Sequence, residues 1–410
     1  MFEQSNAQFA RSVLICLSLI VCGSVARAQE TGGDLVGGAG IFRPKNPEAK
    51  RSNGPKKPPR PTPTMTAAEI EEKYQDHISD GNDARDGRKF PVAEASYREA
   101  IKQKPTDARA FYGLGNVFVD QQRWDDAEDA YRKAYQFAAT NPDVLTALSF
   151  VLVQPRSGAA NAKRLSDAEY YATRATQLQP TNAIAFDRLG VAMVARGIVN
   201  ADTEAKFRHA VELDPNLVIA QAHLARLLKR LKRESEAEPI YNKAIEQAKD
   251  APTLVLIAQN MQAEPGDWSE SEPVLRRALA MDPRNPGALF LLGRFLSARG
   301  KYEDAAPVLK QAIEANPKLF AARTILGRCY LGLERYDDAF TTYDQAVDLA
   351  SDADKKQLAG TFGFAGVGDG YMKAGRAKDA VRAFTRALQL DPNNAALQTK
   401  LTEARAKANS

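Results

Sequence analysis

The chain has 410 residues, of which 44% are hydrophobic and 26% charged, close to the average of soluble proteins. Its mean hydropathy of −0.41 excludes a protein with several membrane spans. Only three histidines are present, which argues against histidine-based catalysis and histidine-rich metal sites. The net charge of +5 is carried by the first 65 residues, since acids and bases balance in the remainder. We therefore do not expect nucleic-acid binding.

Residues 1–28 have the zones of an export signal. A 13-residue apolar run, 13–25, is too short to span a bilayer comfortably. It is followed by Ala-Arg-Ala, which fits a cleavage site. We predict cleavage near Ala28 and a periplasmic or secreted protein. A retained anchor is one alternative, and lipidation at Cys22 is another, although the residue before Cys22 is bulkier than a lipid-attachment motif prefers.

Residues 29–65 form a basic segment rich in glycine and proline. These two residue types fill 13 of its 37 positions, and large apolar side chains are almost absent. Such a segment cannot bury enough surface to offset its loss of conformational entropy, so we predict a disordered tether. Its seven Lys and Arg, against three acids, would also favour contact with an anionic cell-wall or membrane surface.

From about residue 74 the sequence repeats itself. Apolar residues lie three or four positions apart, as on one face of an amphipathic helix. Prolines recur 31–38 residues apart, with one interruption near Ser351, and a period of this length indicates a solenoid of helix pairs. The prolines are at positions 105, 142, 180, 215, 252, 283, 317 and 392.

Each period contains two half-motifs. The first carries a large residue followed by Leu-Gly, as in 111–118 and 289–296. The second has the form Ala-x3-large-x2-Ala, as in 127–134 and 339–346. Small residues at positions eight and twenty let two helices approach closely, while large ones fill the space beside them. Acids open the second helix, where the helix dipole favours them.

This pattern resembles the tetratricopeptide repeat family over about 74–408. The resemblance implies an all-α superhelical solenoid of antiparallel helix pairs, occupying 66–408 and ending in a capping helix, 395–408. We predict long turns or insertions from Gln154 to Leu165 and near Ser351. The nine predicted repeats are 74–107, 108–141, 142–182, 183–217, 218–251, 252–285, 286–319, 320–353 and 361–394.

The resemblance also implies that the first helices line a concave groove that binds peptides or extended protein segments. Position nine of these helices holds Asn82, Asn116, Val153, Val191, Arg226, Asn260, Arg294, Arg328 and Asp369. Other candidates come from position five and from the end of the fifth first helix. The predicted binding residues are Asn82, Tyr112, Asn116, Arg226, Lys229, Arg230, Asn260, Phe290, Arg294 and Arg328.

The chemistry of these residues indicates the ligand. Asparagine amides bind a main chain without reading its sequence, and arginine binds carboxylates with two hydrogen bonds. We therefore predict acidic or C-terminal segments as partners, close to Arg226, Arg230, Arg294 and Arg328. An internally paired or solvated surface is the alternative. The carboxylate-clamp subtype of the family is not expected, because position five is never lysine.

Enzyme motifs are missing from the sequence. It contains no phosphate-binding loop, Gly-x-Ser-x-Gly, Cys-x-x-Cys or His-Glu-x-x-His. The glycine-rich segment 363–368 lacks the strand that a dinucleotide site needs. His209 and His223 lie on helices predicted to be neighbours, but two histidines without a carboxylate are a weak basis for a metal site. We predict no catalytic residue, cofactor or metal.

The predicted function is that of a scaffold that assembles or recruits an envelope or secreted complex. The alternative is a structural adaptor, in which the basic arm holds the repeats against an anionic cell-wall or membrane surface. An accessory role beside an enzyme is a third reading.

Overall fold

The computed structural model describes residues 65–154, 161–263 and 268–410. Within these ranges the protein forms twenty α-helices and no β-strand, which confirms the all-α prediction. None of the helices so described is both long enough and apolar enough to cross a membrane. The predicted signal, 1–28, and the predicted tether up to residue 64 lie outside the described residues.

Consecutive helices pack as nine antiparallel hairpins. The pairs are α1 (Ala67–Asp86) with α2 (Phe90–Gln103), α3 (Ala108–Asp120) with α4 (Trp124–Phe137), α5 (Pro142–Leu152) with α6 (Asn161–Leu178), α7 (Ala183–Ala195) with α8 (Ala201–Leu213), α9 (Val218–Arg230) with α10 (Glu234–Gln247), α11 (Ala251–Met261) with α12 (Ser271–Met281), α13 (Pro286–Ala298) with α14 (Tyr302–Ala315), α15 (Phe320–Gly332) with α16 (Tyr336–Val347), and α18 (Phe364–Lys373) with α19 (Ala377–Leu390). A further helix, α17 (Asp352–Ala359), precedes the last pair, and α20 (Ala395–Ala408) ends the array.

Each hairpin closes where a small residue of the first helix meets a large side chain of the second. A Cβ atom added to Gly115 would lie 2.4 Å from the Tyr131 ring, and one added to Gly327 would lie 2.4 Å from the Tyr343 ring. The same arrangement recurs in the fourth, seventh and ninth hairpins. These distances are below van der Waals contact, so the repeats that have glycine at position eight admit no side chain there.

The turns inside the hairpins do not all use glycine for their left-handed residue. Gly300 and Gly375 have φ of 72°, in the left-handed region that glycine favours. Four other turns place a non-glycine residue there, with φ of 56–59°: Arg88, Gln122, Lys232 and Glu334. The next N–H still bonds a carbonyl five residues back, as Arg123 does to Phe118 at 2.8 Å. The hydrogen-bonded turn therefore tolerates the strained residue.

An arginine in the turn also ties neighbouring repeats together. Arg123 bonds Asp126 in its own second helix and Glu94 in the preceding one, each at 2.8 Å. Arg233 and Arg376 repeat this double contact in later repeats. The sequence analysis missed these inter-repeat pairs, because their partners are 29 to 39 residues away.

Two irregular segments interrupt the regular hairpins. The turn predicted from Gln154 to Leu165 is shorter, since α6 begins at Asn161; residues 155–160 lie outside the described part. The insertion predicted near Ser351 contains a helix, because Ser351 and Asp354 form a capping box that starts α17.

Replacing Gly327 by alanine tests the close packing of the hairpins. We expect Gly327→Ala to lower the free energy of unfolding by about 1–3 kcal/mol, because the methyl group overlaps the Tyr343 ring. In a Tyr343→Ala background the overlap is gone, and the same change should be neutral or stabilising by up to about 1 kcal/mol. Urea unfolding of the four proteins measures this cycle. An equal cost in both backgrounds would contradict the packing account.

Candidate functional site

The first helices of successive hairpins pack against one another along most of the array. The surface that they present is called here the first-helix face, and it carries the residues that the sequence analysis singled out. The ninth residues of successive repeats lie on neighbouring helices of this face.

At the N-terminal end of this face, buried tyrosines hold two asparagine amides in place. Tyr97 donates to Oδ1 of Asn82 at 2.6 Å, and Tyr131 donates to Oδ1 of Asn116 at 2.7 Å. Tyr112 is half-buried, with its ring centroid 5.7 Å from that of Tyr131. Because the amide oxygens are engaged, the amide N–H groups are the ones left to donate to a ligand.

In two repeats the residue predicted to occupy position nine is wrong. Asn260 is 9% exposed and donates to the Leu256 carbonyl at 3.1 Å, so it lies in the core and not on the first-helix face. The cause is the Asp250 cap, which starts α11 one residue earlier than predicted and puts Gln259 at position nine. In the third repeat α5 begins at Pro142, the predicted start of that repeat, so the ninth residue is Phe150 and not Val153.

The middle of the face holds a buried carboxylate beside a histidine. Asp187 is 1% exposed, and its Oδ1 lies 2.7 Å from Nδ1 of His223 on the next first helix. Burial by itself raises the pKa of Asp187, but His223 and the nearby Arg188 outweigh it, so this pKa lies below its usual value. The sequence analysis missed this carboxylate, because thirty-six residues separate it from His223.

The two histidines do not form a common site. His209 packs edge-on against Phe186, with ring centroids 4.5 Å apart, and its Nδ1 lies 3.4 Å from Glu212. Within the described residues no three His, Cys, Asp or Glu side chains are grouped as metal ligands.

The fifth repeat carries the predicted basic cluster. Arg226 is half-buried and Arg230 exposed. Lys229 bonds Glu270 in the following hairpin and lies 5.6 Å from the centre of the Tyr241 ring. The charge of Lys229 is thus partly compensated within the protein.

Arg294, at position nine of the seventh repeat, is buried. Its side chain is 7% exposed, with the guanidinium 5.1 Å from the Trp268 ring and 5.9 Å from the Phe290 ring. Nε and Nη2 donate to Oε1 of Gln262 at 3.1 and 2.6 Å. Burial lowers the pKa of Arg294 to about 10, which leaves it protonated at neutral pH.

The last two repeats differ from each other at position nine. Arg328 is half-buried and makes no hydrogen bond or ion pair with any described residue. Beneath it the Tyr343 hydroxyl is buried without a hydrogen-bond partner in the described structure. Asp369, by contrast, is paired with Lys400 of α20 at 2.6 Å, so the end helix covers this part of the face.

Sequence comparison supports the repeat assignment. Models described as tetratricopeptide repeat match residues 80–142, 219–250 and 363–394, and a model described as anaphase-promoting complex, cyclosome, subunit 3 matches 265–346. The chain is a tetratricopeptide repeat protein. Such proteins are in general non-catalytic scaffolds for protein interaction.

One relative and several solved structures resemble this repeat protein. Cellulose synthase operon protein C of Pseudomonas fluorescens (strain SBW25) is 26% identical over 200 residues, which are 48% of this chain and 15% of that protein. The match thus covers only a small part of the length of this relative. TTC0263 of Thermus thermophilus is 22% identical, the match covering 46% of this chain and 98% of the other with a TM-score of 0.40. YrrB, titled a TPR protein with an unusual peptide-binding site, is 24% identical, with 45% and 92% covered and a TM-score of 0.34.

The Asp187–His223 pair should make the repeat protein sensitive to acid. Because the carboxyl pKa is lower in the folded protein, its stabilisation is complete above about pH 4 and is lost as the pH falls through the lowered pKa. Asp187→Asn should lower the free energy of unfolding at pH 7 by about 3 kcal/mol and flatten its acid limb. Urea unfolding between pH 3 and 7 measures both effects.

Glu212→Gln provides the matched control for Asp187→Asn. It removes the carboxylate beside the other histidine, where both side chains are largely exposed, so stability should change little. If Asp187→Asn and Glu212→Gln had the same effect on the free energy of unfolding and on its pH dependence, the buried Asp187–His223 pair would not be the cause of the sensitivity to acid.

Proposed function

We propose that this protein is a scaffold whose first-helix face binds an extended segment of another polypeptide, with a preference for acidic or C-terminal segments at the fifth to eighth repeats. The observation that carries the proposal is the arrangement of that face. Oriented amides occupy one end, and towards the other end Arg294 and Arg328 lack a carboxylate partner among the described residues. Amides can bond any main chain, whereas guanidinium groups select for carboxylates.

The amide end supports binding of a main chain. A ligand contact there does not need to order Asn82 or Asn116, because Tyr97 and Tyr131 have already fixed both. Preorganisation of this kind lowers the entropic cost of binding. It favours a flexible, extended ligand whose successive carbonyls can meet successive repeats.

The basic end supports a preference for acidic ligands. Arg294 and Arg328 lie on successive first helices that pack together, so a run of acids could meet both. The preference should weaken as salt rises, more for the half-buried Arg328 than for the buried Arg294.

We further propose that the protein acts outside the cytoplasm, in an envelope or secreted complex. Support comes from the export-signal pattern of residues 1–28 and the basic composition of 29–65. The second candidate function is that of a structural adaptor, in which 29–65 binds an anionic surface and the repeats serve as a spacer.

Charge reversal on the first-helix face tests the scaffold. The double variant Arg226→Glu with Arg328→Glu should repel acidic segments. We expect affinity purification with this variant to recover at least tenfold less partner protein than with the wild type. The control is Arg98→Glu with Arg276→Glu, which makes the same change of charge on second helices, where the two arginine side chains are 56% and 62% exposed. This control should recover as much partner protein as the wild type. Quantitative mass spectrometry compares the two. Equal recovery of partner protein by the two double variants would contradict binding at the first-helix face.

Neutralising the basic arm tests the adaptor. Lys50, Arg51, Lys56 and Lys57, all changed to Gln, should abolish any salt-sensitive sedimentation with anionic lipid vesicles while leaving groove-dependent partners in place. The adaptor function would be supported over the scaffold if partner recovery depended on the arm and not on the first-helix face.

A further inference from the structure

Arg294 differs from the other buried charges of the described residues. The buried acids there are Asp187, Glu204 and Asp354. Asp187 lies beside His223, Glu204 accepts from two arginines, and the Asp354 carboxylate accepts from the hydroxyl and main-chain N–H of Ser351 in the capping box of α17. Arg294 is the one cation in this group, and its only hydrogen-bond partner among the described residues is a neutral side-chain amide.

A series of hydrogen bonds fixes the guanidinium in its place. Ser271 Oγ donates to the Trp268 carbonyl at 2.7 Å, and Nε2 of Gln262 donates to Ser271 Oγ at 2.8 Å. Oε1 of Gln262 is thereby aimed at Arg294 and accepts from Nε and Nη2. Nη1 makes no hydrogen bond with any described residue. The group is held along one edge, and the edge that contains Nη1 is left to donate.

We expect such a buried cation to add little to the stability of the protein. A charge removed from water without a counter-ion is costly, and an apolar side chain of similar volume is usually neutral or stabilising in its place. The Trp268 and Phe290 rings exclude water from the guanidinium, which strengthens its attraction for an anion. The planar guanidinium has the geometry to bind a carboxylate of the polypeptide ligand proposed above.

We propose that Arg294, held by Gln262 between Trp268 and Phe290, is a specific binding site for one carboxylate of the polypeptide that the first-helix face engages. This inference rests on the proposed function and narrows it to a single anchor residue in the ligand. The carboxylate comes from an aspartate or glutamate side chain or from the C-terminal end of the bound polypeptide, and the probes below separate these sources.

The test pairs binding with stability in full-length Arg294→Met. The probes are three fluorescein-labelled peptides: an amidated oligoglutamate, a Gly-Ser peptide with a free C-terminus, and the same Gly-Ser peptide amidated. By fluorescence anisotropy, Arg294→Met should bind the carboxylate probe that the wild type prefers at least tenfold more weakly. Its unfolding midpoint should stay unchanged or rise. Arg276→Met, on the exposed side of α12, should change neither quantity.

Trp268 offers a second readout. The protein has two tryptophans, so in a Trp124→Phe background the emission comes from Trp268 alone. Its spectrum should change when the carboxylate probe is added, and Arg294→Met should remove the change. If only the oligoglutamate changes the Trp268 emission, the bound carboxylate comes from a side chain. If only the Gly-Ser peptide with a free C-terminus changes it, the carboxylate is that of a C-terminus.

Two results would overturn the carboxylate site. One is equal binding of the carboxylate probes to wild type and Arg294→Met. The other is a clear loss of stability in Arg294→Met, which would make the guanidinium structural. If the amidated Gly-Ser peptide bound both proteins as well as the charged probes did, the carboxylate site and the preference for acidic segments would fail, whereas binding of an extended segment by the first-helix face would stand. Failure of all three probes to bind the wild type would overturn both.

Discussion

The structure depends on the contact between a small residue at position eight of each first helix and a large side chain from the second. At Gly115 and Gly327 there is no room for even a methyl group beside the tyrosine ring. This contact sets the distance between the two helices, and therefore the orientation of every hairpin in the stack. The surface formed by the first helices follows from that orientation. Its function thus depends on residues that no ligand touches.

The same tyrosines link packing to recognition. Tyr131 fills the space beside Gly115, and its hydroxyl holds the amide of Asn116 on the first-helix face. Where arginine replaces asparagine, as at Arg328, the Tyr343 hydroxyl has no hydrogen-bond partner in the described structure. The hairpins keep one packing scheme, while position nine changes from amide to cation along the array.

Much of the fold could be predicted from the sequence, because its signals are local. The Leu-Gly and Ala-x3-large patterns act within one hairpin, and they correctly indicate helix pairs. The register in the sixth repeat was mispredicted because the N-cap, Asp250, starts the helix one residue earlier than the spacing of the prolines indicates. Arg294 was predicted to lie on the groove, but its burial was not, since Gln262 and Trp268 approach it from the preceding hairpin. Contacts between hairpins leave no pattern within a single period.

The central claim is that the first helices, and not the second, form the binding surface. Hydrogen exchange of the full-length protein, with and without a saturating oligoglutamate peptide, tests it most directly. The account predicts that protection rises in α9, α13 and α15 and stays unchanged in α10, α14 and α16. Protection that rose mainly in the second helices, or that left α13 and α15 unaffected by a bound peptide, would contradict it.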